Sequence, residues 1–196
     1  MNHSPNDLIM LFNDLFREDY RTILVKGSDE PEYLPAATPD GLAQIVFAHG
    51  YYASALHEIS HWCIAGERRR TLHDYGYWYC PDGRTPEQQQ VFEQVEVKPQ
   101  ALEWLFSLAA GSRFHISVDN LSGDGPADER GFRRKVREQA GQYLSDGLPQ
   151  RAGQFFDALR TFYGTADTVL ESWYQDARRI APLSSALNIP RKTETV

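Results

Sequence analysis

The sequence is poor in cysteine and has no long hydrophobic run. Only two cysteines, Cys63 and Cys80, occur among its 196 residues, so a framework of several disulfides is excluded as the basis of the fold. No apolar stretch reaches the roughly 20 residues that a membrane-spanning helix needs, and no basic segment followed by an apolar one begins the chain. We therefore expect a protein of the reducing cytoplasm that does not bind membranes.

Positive charge is also scarce, which argues against DNA as a partner. The chain contains 20 lysines and arginines against 27 acidic residues, a formal net charge of −7, and such a balance lacks the basic footprint of nucleic-acid binding. With 41% hydrophobic residues, the chain can bury one sizeable core. We predict a single domain over residues 1–182 and a loose, polar C-terminal tail over residues 183–196.

One segment, FAHGYYASALHEISHWCIAGERRR, contains His57, Glu58 and His61 in the order H-E-x-x-H. On an α-helix, positions i and i+4 lie one turn apart on the same face, so both imidazoles can reach a single metal ion. The apolar neighbours indicate a helix that is buried on most sides. Burying two imidazoles and a carboxylate without a cation is costly, so the pattern favours a metal site over a pair of core histidines bonded to backbone carbonyls.

A third ligand is predicted on a second long helix, which begins at the segment TPEQQQ and ends with LAAG. Glu96 lies on the apolar face of this helix, between Phe92 one turn before and Pro99 after it, so we expect its carboxylate to point inward. Glu93 has polar neighbours and Glu103 lies further along the helix, and we interpret both as solvated carboxylates.

The remaining segments predict an α+β protein in which a small sheet carries a helical layer and the metal site lies on the two buried helices. Apolar spacing and flanking turn residues distinguish helices from strands. Strands are predicted in RTILVKG, LAQIVFA and FHISVDNLSG, and further helices in SPNDLIMLFNDLF, PADERGFRRKVREQAGQYL, LPQRAGQFFDALRTFYG and ESWYQDARRI.

Other residues could approach the site, but ordinary structural roles suit them better. His49 falls at a strand-to-helix turn, where it could approach a ligand. His115 and Asp119 lie in a predicted strand and the loop after it, and they could form hydrogen bonds to the metal ligands. Cys63 points away from the histidine face and is expected in the core. The aromatic residues among positions 75–79 could line a pocket, although such clusters more often belong to a core.

Two basic clusters offer candidate docking surfaces. Arg68–Arg70 directly follow the H-E-x-x-H helix, and a denser run occupies residues 130–137. A solvated helix end explains Arg68–Arg70 as well as an anionic partner does. For residues 130–137 a solvated helix face is favoured, and the alternative is a docking surface for an acidic protein or RNA.

Two histidines and one carboxylate are the ligands of two different chemistries. A zinc hydrolase uses them with water in the open position, and Glu58 would then be the general base. A non-haem iron oxygenase uses the same three ligands and leaves positions for substrate and dioxygen. The motif alone favours hydrolysis, since a helix-borne pair at this spacing is commoner in zinc peptidases.

The runs HEISHWCIAGERRR, DYGYWYCPDGRTPEQQQVFEQVEVKPQALEW and FHISVDNL resemble the bacterial elongation factor P hydroxylase family, over roughly residues 7–180. This resemblance implies a monooxygenase-type oxidoreductase that hydroxylates the β-lysyl-modified lysine of elongation factor P. It implies His57, His61 and Glu96 as ligands of Fe(2+), with zinc as the alternative metal, and Glu58 as an acid/base or a group that orients a ligand. A zinc-dependent peptidase or amidase is the alternative function.

Overall fold

The computed structural model describes residues 3–73, 84–117, 129–169, 171, 173 and 175. Within these ranges the chain forms five α-helices and one three-stranded sheet, which confirms the predicted α+β class. Each described helix is too short or too polar to cross a bilayer. In chain order the elements are α1 (Pro5–Phe16), β1 (Thr22–Lys26), β2 (Glu32–Leu34), β3 (Ala43–Phe47), α2 (Tyr52–Ile64), α3 (Pro86–Ala110), α4 (Glu129–Asp146) and α5 (Gln150–Phe162).

The sheet precedes the histidine-bearing helix, as the sequence predicts. β3 is its central strand and pairs in parallel with β1 and antiparallel with β2. Leu24, Ile45 and Phe47 from β1 and β3 are buried in the core. The sequence analysis missed β2 because its three residues are too short for an alternating pattern and all three are only partly buried.

Helix ends follow the local signals in the sequence. The Ser4 hydroxyl accepts a hydrogen bond from the Asn6 amide and caps α1. Thr85 and Gln88 form a capping box at the start of α3. Gly111 closes α3 with a φ of 67°, in the left-handed region that glycine adopts without strain. These observations confirm the predicted start and end of the second long helix.

Helix α3 is the central element of the helical layer. It packs against α2, α4 and α5, and every residue from Pro99 to Ala110 is buried. Trp104 stacks on Phe114 and tilts against Trp173, which extends the core beyond the helix itself. Because the second half of α3 has no solvated face, any carboxylate in it lies inside the protein.

The predicted strand after α3 is wrong for its described part. Residues 112–117 adopt no regular structure, and His115 is exposed. At Ser117 a side chain takes the place of strand pairing: the Gln100 amide donates to the Ser117 carbonyl at 2.7 Å and accepts from the Ser117 amide at 3.1 Å. These two contacts supply the hydrogen bonds that a neighbouring strand would otherwise provide. The rest of the predicted strand, including Asp119, lies outside the described residues.

Helix α2 is fixed at both ends. At its start, His49 and Gly50 adopt positive φ values of 53° and 67°, which confirms a tight turn between β3 and the helix. At its end, the Arg151 guanidinium from α5 donates to the carbonyls of Cys63 and Ala65, at 3.1 and 2.6 Å. The same guanidinium lies 4.6 Å from the centre of the Trp62 ring. A buried cation therefore satisfies carbonyls that the helix leaves unbonded at its C-terminus.

Candidate metal centre

The two histidines of the H-E-x-x-H pattern face the same point. His57 and His61 lie one turn apart on α2, and their Nε2 atoms are 3.1 Å from each other. Their rings are close to perpendicular, at 70°, with centres 4.7 Å apart. Both Nε2 atoms are thus directed toward a shared space rather than toward separate backbone carbonyls, which is the arrangement that a common metal ion needs.

Glu96 completes this group from α3. Its carboxylate is fully buried, at 0% exposure, and its two oxygens lie 3.2 Å from His61 Nε2 and 3.6 Å from His57 Nε2. One donor atom from each of the three residues lies within 4.8 Å of the other two, close enough to hold one metal ion. The structure confirms that Glu96 points inward. The nitrogen and oxygen donor set fits a divalent transition metal.

Glu103 is one of two carboxylates whose predicted solvated position is wrong. It is only 8% exposed, and its Oε2 lies 2.9 Å from His57 Nδ1. Glu103 follows Glu96 by seven residues, two turns of α3, so the two carboxylates share the face that meets α2. This spacing was the signal that could have identified it. A carboxylate on Nδ1 keeps the proton there and leaves Nε2 free to bind a metal.

The solvated position predicted for Glu93 is also wrong. Glu93 is buried, and its Oε2 accepts from Lys135 of α4 at 3.1 Å. The Glu93 carboxylate is directed at α4 rather than at the histidines, which agrees with the interpretation that Glu93 is not a metal ligand. Glu93 therefore links α3 to α4.

The site is electrostatically coupled. Burial by itself lowers the pKa of His57, but the hydrogen bond to Glu103 and the charge of Glu96 outweigh burial and raise that pKa. Burial raises the pKa of Glu96, yet the two imidazoles outweigh it and hold that pKa well below its usual range. In the absence of a metal, the group therefore favours a buried carboxylate beside a protonated imidazole.

Glu58 lines a cavity beside the triad. The cavity has a volume of about 200 Å³, and Glu58, His61 and Trp62 of α2 form one side of it. Tyr33 and Val95 contribute to the other walls. Burial raises the pKa of Glu58, and the two nearby imidazoles only partly oppose this shift. A carboxyl group that can hold a proton thus faces the cavity.

The other candidates do not join the triad. Cys63 is a buried core residue, as predicted, and burial raises the pKa of its thiol. Among the described residues, neither His49 nor His115 belongs to the metal-sized group. The aromatic cluster at residues 75–79 lies outside the described ranges.

The two basic clusters differ in their surroundings. Arg68 and Arg69 are exposed just beyond α2, and Arg69 and Arg70 line the cavity. In the second cluster, three side chains have acidic partners within the fold. Arg133 pairs with Glu129 at 2.6 Å, Arg134 with Glu138 at 3.9 Å and Lys135 with Glu93 at 3.1 Å. Because His61 lines the same cavity as Arg69 and Arg70, the first cluster is the candidate docking surface nearer to the triad.

Paired imidazoles on one helix and a buried carboxylate on a second helix form a group that could hold a single metal ion, and a cavity adjoins it in this α+β protein. Comparison with known proteins then defines the family. Residues 11–173 match the elongation factor P hydroxylase family, so the chain belongs to that family. It is 53% identical to the elongation factor P lysine hydroxylase of Haemophilus influenzae over 169 residues, 86% of this chain and 94% of that relative. The resemblance inferred from the sequence motifs is confirmed.

Proposed function

We propose that this chain hydroxylates the β-lysyl-modified lysine of elongation factor P, as a monooxygenase-type enzyme that depends on Fe(2+) and acts in the cytoplasm where translation occurs. The observation that carries the proposal is the 53% identity to an elongation factor P lysine hydroxylase over 94% of that relative. The matched region, residues 11–173, includes all three residues of the triad. The relatives offer no support for the zinc peptidase or amidase alternative.

His57 and His61 would hold the metal through Nε2, and Glu96 through its carboxylate. Imidazole and carboxylate suit ferrous iron, although zinc accepts the same ligands. Three protein ligands leave coordination positions open for the reaction. When bound, ferrous iron would supply the redox chemistry by which dioxygen is used to place an oxygen atom on a carbon.

The protein's own residues would orient and enclose the reaction. Glu103 accepts a hydrogen bond from the Nδ1–H of His57 and so fixes the tautomer whose Nε2 faces the metal position. Glu58 lies in the cavity wall with a raised pKa, where it could hold or pass on a proton. The cavity of about 200 Å³ gives a long side chain a partly enclosed path to the triad.

Docking of the protein substrate would use Arg68 and Arg69. The chain has a formal net charge of −7, so a negatively charged partner needs local positive surface to approach. Both arginines are exposed, and Arg69 lines the cavity. Reversing both charges to Glu should slow association at low ionic strength and flatten its salt dependence, with metal content unchanged. Normal association under those conditions would place the docking surface elsewhere.

The test of the proposed function is purification under anaerobic conditions followed by turnover with β-lysylated elongation factor P. We expect ferrous iron bound in about equal amount to the protein, uptake of dioxygen and a mass increase of one oxygen atom on the modified lysine. Tightly bound zinc, with peptide or amide cleavage and no oxygen added to the factor, would contradict the proposal.

Glu58→Gln separates the two chemistries further. In a peptidase Glu58 must activate the metal-bound water, so the variant would lose all turnover while keeping its metal. In the proposed hydroxylase Glu58 assists rather than generates the oxidant, and we expect a partial loss of activity. Complete loss of oxygen insertion with unchanged metal binding would show that Glu58 has a larger role.

A further inference from the structure

A buried carboxylate, that of Glu58, lines the cavity beside the triad. Glu58 is 9% exposed. Among the residues that the structure describes, no side chain or backbone amide donates a hydrogen bond to its carboxylate. A buried carboxylate without a donor carries a desolvation cost of several kcal/mol in general. A ligand that brings an N–H group into the cavity would offset that cost.

A second carboxylate, that of Glu32, also lines the cavity. Glu32 is on β2, at the edge of the sheet, and its side chain is 30% exposed. His73 contacts one of its oxygens at 3.1 Å, but a carboxylate offers about four lone-pair sites. Glu32 can therefore accept from a ligand while it keeps the contact with His73.

The apolar part of the cavity lining suits an alkyl chain. The side chains of Tyr33, Ile45, Trp62, Val95 and Pro99 all line the cavity. Aromatic and aliphatic surfaces of this kind cover methylene groups and leave a charged end to its polar partners.

Two arginines also line the cavity, and their contacts show where their charge lies. The Arg70 guanidinium donates to the Ala65 carbonyl at 3.4 Å and lies 5.9 Å from the centre of the Tyr20 ring. Its charge is directed at the end of α2. Arg69 is exposed to solvent. Among the charged groups that line the cavity outside the triad, Glu58 is the most deeply buried, and in its ionised form it accepts hydrogen bonds.

We propose that this cavity binds the primary ammonium group of a long alkyl side chain, with Glu58 and Glu32 accepting its N–H groups and the apolar walls enclosing its methylenes. For its physiological ligand this inference rests on the proposed function, because a β-lysyl-modified lysine carries primary amines on an alkyl chain. The two carboxylates would then determine which side chains the enzyme accepts. A neutral side chain of equal length would leave Glu58 buried without a donor.

The direct test uses hexamethylenediamine and its neutral counterpart hexanediol as probes of the metal-loaded protein. We expect the diamine to bind about tenfold more tightly than the diol, since hydrogen bonds to a charged group are roughly twice as strong as neutral ones. Binding is measured by chemical-shift changes in NMR spectra. Glu32→Gln should weaken diamine binding about three- to tenfold and Glu58→Gln about tenfold or more. Glu18→Gln, a change at an exposed surface carboxylate, should leave it unchanged.

Three results would overturn the inference. Equal binding of diamine and diol would show that charge is not recognised. Wild-type affinity in Glu32→Gln and Glu58→Gln, both with unchanged metal content, would place the amine elsewhere, for example directly on the metal. Tighter binding of adipate than of the diamine would show that the arginines dominate the cavity.

Kinetics separate this inference from the proposed function. With β-lysylated factor as substrate, Glu32→Gln should raise KM about three- to tenfold and leave kcat nearly unchanged, because Glu32 contacts the substrate away from the reacting carbon. Selective diamine binding by a wild-type protein that adds no oxygen would refute the function and uphold the cavity site. Hydroxylation with the same KM and diamine affinity in Glu32→Gln would uphold the function and refute the cavity site.

Discussion

The hydrogen bond between Glu103 and His57 gives a quantitative prediction for metal binding. The 2.9 Å contact fixes the ring orientation of one ligand and increases its basicity. Loss of such an outer partner typically lowers metal affinity about 10- to 100-fold, which corresponds to about 1.4–2.7 kcal/mol. Glu103→Ala removes both the acceptor and the negative charge, so we expect a loss near the upper end. Glu103→Gln keeps an oxygen that can accept from Nδ1, and we expect a loss nearer tenfold.

The same variant should change the pH dependence in a defined direction. Glu103 contributes to the raised pKa of His57, and a metal must displace the proton that this imidazole holds. Glu103→Ala removes one cause of the raised His57 pKa, so protons compete less well with the metal, and this gain is greatest at low pH. The gain offsets part of the loss of metal affinity that the missing hydrogen bond causes. We therefore expect the loss of affinity to be smaller near pH 6 than near pH 8.5.

Competition titration with a coloured chelator would measure these affinities, with circular dichroism to verify the fold. Glu93→Ala is the matched control, because Glu93 is a buried carboxylate of the same helix that pairs with Lys135 instead of an imidazole. A change below about threefold in Glu103→Ala, across the whole pH range and with an intact fold, would refute the role assigned to Glu103.

Three further predictions follow from the same contacts. Glu96→Ala should abolish tight metal binding, as measured by metal content, whereas Glu93→Ala should retain it; the opposite result would transfer the ligand to Glu93. Wild-type metal affinity should rise by up to about tenfold per pH unit through the neutral range. In the metal-free protein the pKa of His57 is raised to about 10, so a metal must displace a proton from this imidazole. A metal affinity that does not change with pH would contradict this prediction. Arg151→Ala should lower the free energy of unfolding by about 2–4 kcal/mol, since it removes two charged hydrogen bonds and a cation–π contact. Arg160→Ala, which removes a surface ion pair with Asp157 from a partly exposed side chain, should cost less than about 1 kcal/mol; denaturant unfolding measures both.

Features that depend on neighbouring residues were predictable from the sequence. The capping residues of α1 and α3 act on amides two or three positions away, so the pattern of Ser4 and Thr85 was sufficient. The imidazole pair follows from the four-residue spacing of His57 and His61. The inward direction of Glu96 followed from its apolar neighbours on one helix face.

Features that depend on packing were not predictable in the same way. The interpretation of Glu103 as solvated assumed that α3 keeps a polar face throughout, but tertiary contacts bury the whole circumference of its second half. The strand predicted from residue 114 onward had suitable residues, yet a glutamine from α3 bonds the backbone at Ser117. Arg151 gave no signal, because its partners are carbonyls more than eighty residues away in the chain.

The split of the triad between two helices has a consequence for how the protein reaches its native state. His57 and His61 are close in the chain, so even an unfolded chain can bind a metal weakly through this pair. Glu96 joins only after α2 and α3 have docked, which closes a loop of about 40 residues and has an entropic cost. Metal that binds the docked form more tightly stabilises it by mass action, in proportion to the logarithm of metal concentration. If the proposed metal binds, its supply during synthesis would therefore shift the newly made chain toward the docked form, before any substrate is present.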